Sequence, residues 1–372
     1  MAPEEFQTEI KYTSAANVMN KRYQAVAGWN MADTPIVVNL DDTAIMESSE
    51  CLKVAIRAFS DPRVGLIATT KWVERVEGNS FVAGFWNMIG NLYLTRHTFE
   101  IIASFFMDGG FFVASGRFNL IRRIIVQDER FQKEFLDEYL WQGFFKRLVW
   151  LGKRSSGFQS FFDMLCKKFE CITLRGIGPV QADDDNFISR WVINEGWNVA
   201  VESSPEARII TRLGGMDLES SKLLPAKFLD QCHRWSRTTL RQNPEALLSD
   251  LTIWMKWPIT TWMTYIPWLY NTALAWDFAI IWTFTRTTVY TQSSHRVGLL
   301  TILILSIWGT KLIKVILWYW YHPQDLRYIL FHVAFSYFHS LIKFYTMATV
   351  GDLSWSGRKN AGQSKLDTKK EG

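Results

Sequence analysis

Two acidic runs and one mixed polar stretch hold the side chains best suited to chemistry in this sequence. Asp183-Asp184-Asp185-Asn186 sets three carboxylates in succession. Adjacent like charges raise one another's pKa, which suits a general base. Asp41-Asp42 closes an apolar Val/Ile run. Carboxylates at a strand end suit a magnesium-type ion that completes its shell with phosphate oxygens. Gln231-Cys232-His233-Arg234-Trp235 adds an amide, a guanidinium and an indole. On a helix, residues 231 and 235 share a face with 234 beside them, so Arg234 could grip a phosphate while Trp235 stacks on a sugar. Singly, each has an ordinary alternative: turn or helix-cap acids, or a surface arginine on a half-buried tryptophan. Sugar transfer from a nucleoside diphosphate needs all three together: a cation for the leaving group, a carboxylate for the acceptor proton, and cationic or amide groups for the phosphates.

The elements that must position these groups follow from periodicity. Thr13 to Trp29 reads as a helix capped by Ser14, with Lys21 off its apolar face and Arg22 within it. Thr34 to Leu40 and Val64 to Thr70 read as strands flanking a helix, Ser48 to Phe59, so a parallel sheet is the economical expectation. Phe81 to Phe106 is a long apolar-aromatic stretch broken by Gly84, Gly90, Arg96 and His97, and reads as helices that could in part lie at the membrane interface. Phe111 to Arg117 reads as a strand entering a glycine turn, and Phe118 to Val126 as a helix. The Phe- and Lys-rich run Phe144 to Phe169 suits an insertion or an amphipathic surface helix. Asp185 to Gly196 is expected as a helix, Trp197 to Val201 as a strand, and Pro225 to Leu240 as the helix carrying Gln-x-x-Arg-Trp.

Composition narrows the class. The 372 residues carry a net charge of +5 with scattered basic residues, so no nucleic-acid stripe is present and a membrane facing anionic lipid is the simpler partner. Four cysteines at irregular spacing make neither a disulfide framework nor a zinc site. Met1 to Tyr12 is polar and lacks a signal-peptide pattern. Ile259 to Phe284, Val297 to Tyr321 and Ile329 to Val350 each reach the ~20 mostly apolar residues of a spanning helix. Their charges, Asp277, Lys311, Lys314 and Lys343, are expected to face a bundle interior. The expected domains are 1–243, cytosolic; 244–350, membrane; and 351–372, a terminal motif with a disordered lysine-rich tail.

The order of Asp-Asp after a strand, Ser115-Gly116-Arg117, Asp-Asp-Asp-Asn, Gln-x-x-Arg-Trp and then membrane helices resembles the processive family 2 glycosyltransferases. Hyaluronan, chitin and cellulose synthases belong there, and the likeness is greatest to fungal polysaccharide synthases related to hyaluronan synthase. It runs from about Asn20 to Arg358. The resemblance implies an α/β fold, a type A glycosyltransferase domain with a Rossmann-like mixed sheet, followed by transmembrane helices. It further implies a UDP-sugar donor, a polysaccharide acceptor, Mg or Mn, inverting transfer, and a multi-pass protein of the plasma membrane with its catalytic domain in the cytosol. By the same resemblance Asp185, with Asp184 beside it, matches the base, and Asp42, with Asp41, the metal site. Lys21, Arg22, Gln231, Arg234, Trp355 and Arg358 match donor or phosphate groups; Ser115, Gly116 and Trp235 match the acceptor side. Leu40 stands where the family has the first acid of Asp-x-Asp. The family also has an earlier strand with a uridine-binding Asp and leading membrane helices, so the resemblance implies an amino-terminally truncated domain with a raw sheet edge. Two other readings follow from the same residues: a ceramide-type lipid glucosyltransferase, and a noncatalytic relic acting as a membrane interaction protein.

Overall fold

The computed structural model describes residues 11, 13, 20–75, 80–154, 176–180, 182–211 and 225–352. The described strands are β1 (Ile36–Leu40), β2 (Ala44–Met46), β3 (Val64–Thr69), β4 (Lys71–Val73), β5 (Phe118–Arg122), β6 (Asn198–Glu202) and β7 (Ile209–Thr211). They form a four-stranded sheet in the order β1-β5-β3-β6 and a three-stranded sheet in the order β2-β7-β4. Every residue of β3 is buried, as a central strand covered on both faces requires.

The sheet is mixed, and this corrects two expectations. β5 lies between β1 and β3 and runs antiparallel to both; only β6 pairs parallel with β3. Phe118 to Arg122, expected within a helix, is therefore a strand, and helix follows only for the single turn Arg123–Val126. Phe118, Leu120 and Ile121 are all fully buried there, and Asn119 accepts a hydrogen bond from Asn39 across the sheet at 2.8 Å. Residues 111–115 are irregular rather than a strand.

The expected breaks at Gly84 and Gly90 are also absent. Phe81–Asp108 is one helix of 28 residues, ended by Gly109 in the left-handed conformation at φ 74°. A Cβ on Gly84 would fall 2.2 Å from the Tyr328 hydroxyl, so this glycine serves close packing against the C-terminal region. The helix Pro225–Pro244 lies beside it. Phe228 and Cys232 are fully buried among Trp86, Tyr93 and Phe335. One turn round the helix, Gln231, Arg234, Trp235 and Thr238 point to a cleft at the sheet's edge.

The C-terminal region departs from three uninterrupted spans. Among the described residues one helical run, Arg296–Tyr321, is long and apolar enough to cross a membrane. The segment expected from Ile259 runs as one helix over 258–270 with a π-helical stretch at Thr261–Tyr265, is interrupted at Asn271 and Thr272, and resumes as the helix Ala273–Thr285. Lys343 Nζ donates to the carbonyls of Trp268 and Asn271 at 3.4 and 2.8 Å, satisfying groups the break exposes. The last helix, Ile329–Ala348, has 20 residues but carries Lys343, His332 and His339. Polar residues in the bundle are paired: Lys311 with Asp277 at 2.6 Å and Lys314 with Glu100 at 2.7 Å.

Arg22 is fully buried and lies away from the cleft, in contrast to the phosphate-binding place expected for it. The described helix begins at Lys21 and is capped by Asn20; residues 14–19 of the longer expected helix lie outside the described residues. Arg22 donates to the Phe135 carbonyl and Glu138 at 2.6 Å each and to the Ala182 carbonyl at 2.7 Å. Glu138 also receives Arg190 at 2.8 Å. This network fixes the residue that precedes the acidic turn. Breaking a buried pair by removing one partner costs about 3–5 kcal/mol. Arg22→Met is therefore expected to lower unfolding stability by about that amount while leaving nucleotide affinity of the folded fraction unchanged. Equal stability with weakened nucleotide binding would return Arg22 to the binding site.

Candidate active site

The cleft is assembled by three backbone turns and one helix face. At the end of β1, Asp41 N donates to the Arg117 carbonyl at 2.8 Å, which pins the Asp41-Asp42 turn against Gly116-Arg117. Gly116 N in turn donates to Asp185 Oδ2 at 3.2 Å. A Cβ on Gly116 would meet Lys21 Nζ at 3.2 Å and Asp184 Oδ2 at 3.3 Å, so glycine permits this approach. Ser115 shapes the turn: its carbonyl accepts from Asn119 Nδ2 at 3.1 Å and its hydroxyl from Arg117 N at 3.3 Å. Ser189 ties the acidic helix Asp184–Asn194 to the segment before the turn, its hydroxyl accepting from Ala114 N at 2.8 Å.

The resulting cavity, about 420 Å³, brings Asp41, Asp42, Gly116, Asp185, Arg234 and Trp235 together. Lys21, Ser115, Asp184 and Gln231 line it too. Leu40 is half exposed and does not line it, so Asp41 is the acid beside Asp42. Of the residues expected here, Arg22 lies elsewhere, and Trp355 and Arg358 lie outside the described residues. Trp235 packs against Tyr93 with centroids 5.1 Å apart and the rings tilted by 31°, and the Arg117 guanidinium lies 5.9 Å from its ring. The indole is thus held at the cleft wall rather than free on a helix surface.

The acidic turn divides into unlike environments. Burial and the neighbouring Asp184 charge push the Asp185 carboxyl above its ordinary range, against the pull of Lys21 and the Gly116 N–H. Asp184 goes the other way: burial would raise it, but Lys21 at 3.0 Å holds it below the ordinary range. One acid of the pair is suited to proton transfer, and the other stays ionised as its neighbour.

Among the described residues, no group of three His, Cys, Asp or Glu side chains could hold a metal ion unaided. Asp41 and Asp42 nevertheless fit one. The Asp41 carboxyl is raised by burial, by its hydrogen bond with Asp42 and by that neighbour's charge, a crowding that a shared cation would relieve. Two carboxylates completed by diphosphate oxygens is a magnesium-type donor set.

Sequence reasoning missed three cleft residues: Lys71, His97 and Arg117. Lys71 is 3% exposed, and burial lowers its ammonium to about 7. Burial likewise takes His97 to about 4, so its ring is neutral. Arg117 bonds Thr211 across to the second sheet and is lowered to about 10 by burial. Arg117 was visible beside the glycine turn; Lys71 follows an apolar strand and could have been flagged as a cation in a buried run.

A family model described as glycosyltransferase-like family 2 matches residues 5–238. A type 2 glycosyltransferase of Pyricularia oryzae is 27% identical over 362 residues, 95% of this chain and 66% of that protein. Another, of Zymoseptoria tritici, is 28% identical over 349 residues, 94% of this chain and 64% of that protein. The NDP-glycosyltransferase ltbB of Aspergillus luteorubrus is 22% identical over 280 residues, covering 73% and 56%. The chain spans about two thirds or less of the length of these curated relatives.

The pairing of Asp184 with Asp185 sets a pH dependence. Asp184→Asn removes the like charge and leaves Lys21 to act on Asp185, and both changes lower the Asp185 pKa. The acid limb of the rate profile is expected to move to lower pH, by about one unit. An unmoved limb, or one shifted to higher pH, would contradict the assignment.

Proposed function

This chain belongs to the glycosyltransferase-like family 2, and on that premise we propose that it transfers a sugar from a UDP-sugar to a growing polysaccharide at a membrane. The observation that carries the reading is the convergence of Asp41, Asp42, Asp185 and Trp235, far apart in the chain, on one cavity. A donor diphosphate would lie between the Asp41-Asp42 turn and Arg234, with Lys21 and Arg117 adding positive charge. A Mg or Mn ion bound there would neutralise charge on the leaving diphosphate. Asp185 takes the proton from the acceptor hydroxyl, and a single displacement with one base inverts the anomeric centre. Trp235, braced by Tyr93, offers its ring to the acceptor sugar.

A second cavity of about 350 Å³ favours a polymer over a lipid acceptor. It shares Tyr93, Thr264 and Trp268 with the first, lies among the C-terminal helices, and presents Arg96, Glu100, Asp277 and Lys311. Such polar lining suits a sugar chain rather than an acyl tail. In this reading the shorter apolar helix Ala273–Thr285 and the last helix join Arg296–Tyr321 in a multi-pass region, with the cleft on the cytosolic side of the plasma membrane.

The test is nucleotide release by purified membranes supplied with UDP-GlcNAc, UDP-GlcA or UDP-Glc and Mg. Turnover with at least one donor, abolished by chelation and lowered by about 100-fold or more in Asp185→Asn, is expected. Turnover unaffected by either change, or absent with every donor, would refute the proposal.

A further inference from the structure

The last helix and the acidic turn are far apart in sequence but are joined by one buried guanidinium. Arg241 is 1% exposed. Its Nε and Nη2 donate to Asp183 Oδ2 at 3.1 and 2.9 Å. Its Nη1 donates the other way, to the carbonyls of Val350 and Asp352 at 3.3 and 2.9 Å, just past the end of the last helix. The second Asp183 oxygen accepts from the Thr238 hydroxyl. Four residues earlier on the same helix, Arg237 repeats the grip: Nε donates to Thr349 Oγ1 at 3.1 Å and Nη1 pairs with Asp352 at 2.8 Å.

Asp183 is placed to convert this grip into catalytic geometry. It is the residue before the acidic helix and holds the left-handed conformation, φ 60° and ψ 35°, without capping that helix through its side chain. Aspartate enters this region more readily than most non-glycine residues, and its side-chain bonds then fix it there. Here the holding groups are Arg241 and Thr238. The next two residues are Asp184 and Asp185, so the Asp183 backbone sets where both carboxylates point. Lysine could not reproduce the arrangement, because it lacks the planar fork that faces two partners at once.

We propose that Arg241 is a positioning residue that links the chain leaving the last helix to the acidic turn, so that displacement of residues 349–352 loosens Asp183 and misplaces Asp185. The catalytic half of this statement rests on the reading of Asp185 as the base; the mechanical half does not. Through the link, whatever moves the end of the last helix, such as passage of an acceptor along the neighbouring bundle, is felt at the base.

The test uses the full chain in detergent with Arg241→Lys and Arg237→Met, read by amide hydrogen exchange and by kinetics. Arg237 touches Thr349 and Asp352 rather than the acidic turn, so it is the discriminating variant. Both variants are expected to speed exchange at residues 183–186, Arg241→Lys by about tenfold or more. Both should lower kcat, Arg241→Lys by about 10- to 100-fold, with donor KM changed by less than about threefold. Faster exchange in Arg241→Lys alone would make Arg241 only a local partner of Asp183 and overturn the link. Unchanged exchange in both would overturn it outright. If the wild type turns over no donor, the base assignment fails, and the exchange result still decides the link.

Discussion

Three consecutive carboxylates at one turn, Asp183 buried and Asp184 and Asp185 partly so, repel one another, and the structure around the cleft is organised by how each is neutralised. Asp183 is taken by Arg241 from the Gln-x-x-Arg-Trp helix, Asp184 by Lys21 from the first described helix, and Asp185 by the Gly116 amide. Each partner comes from a different part of the chain. Forming the acidic turn therefore requires the sheet, the amino-terminal helix and the C-terminal helices to meet there. Among the described residues, only neutral N–H donors, from Gly116 and the adjacent Asn186, face Asp185, the acid proposed as the base. Burial and the Asp184 charge raise Asp185, while Lys21 overcomes burial to depress Asp184.

The same logic explains the division between sheet and helices. β5, wedged antiparallel between β1 and β3, delivers the Ser115-Gly116-Arg117 turn beside the Asp41-Asp42 turn at the end of β1. The long helix Phe81–Asp108 supplies Tyr93 to brace Trp235 and carries Arg96 and Glu100 to the second cavity. In the proposed reading the acids on the sheet turns serve the donor, the Trp235 ring on its helix serves the acceptor, and the polar cavity among the C-terminal helices adjoins both.

Local signals were legible in the sequence. The Val/Ile run ending in aspartates became β1, the acidic helix starts within a residue of its expected place, and Gln231, Arg234 and Trp235 share the cleft wall as helical spacing requires. Non-local facts were hidden. Nothing in Phe118 to Arg122 says that strands wait on both sides of it, so its apolar pattern reads equally as helix. Gly84 looks like a helix breaker because Tyr328, which needs the space, is more than two hundred residues away. Arg22 sits beside Lys21, yet a one-residue rotation sends one side chain to the cleft and the other to Glu138. Of the three apolar segments, hydropathy alone could not foresee the break at Asn271, which depends on Lys343 reaching the freed carbonyls.

The most direct measurement is calorimetric titration of the purified full chain with UDP, with and without Mg, for the wild type and for the Asp41→Asn/Asp42→Asn double variant. Binding that needs Mg in the wild type and loses its Mg dependence in the variant is the expected result. UDP binding of equal strength in all four conditions, or no binding in any, would contradict a shared cation site at the end of β1.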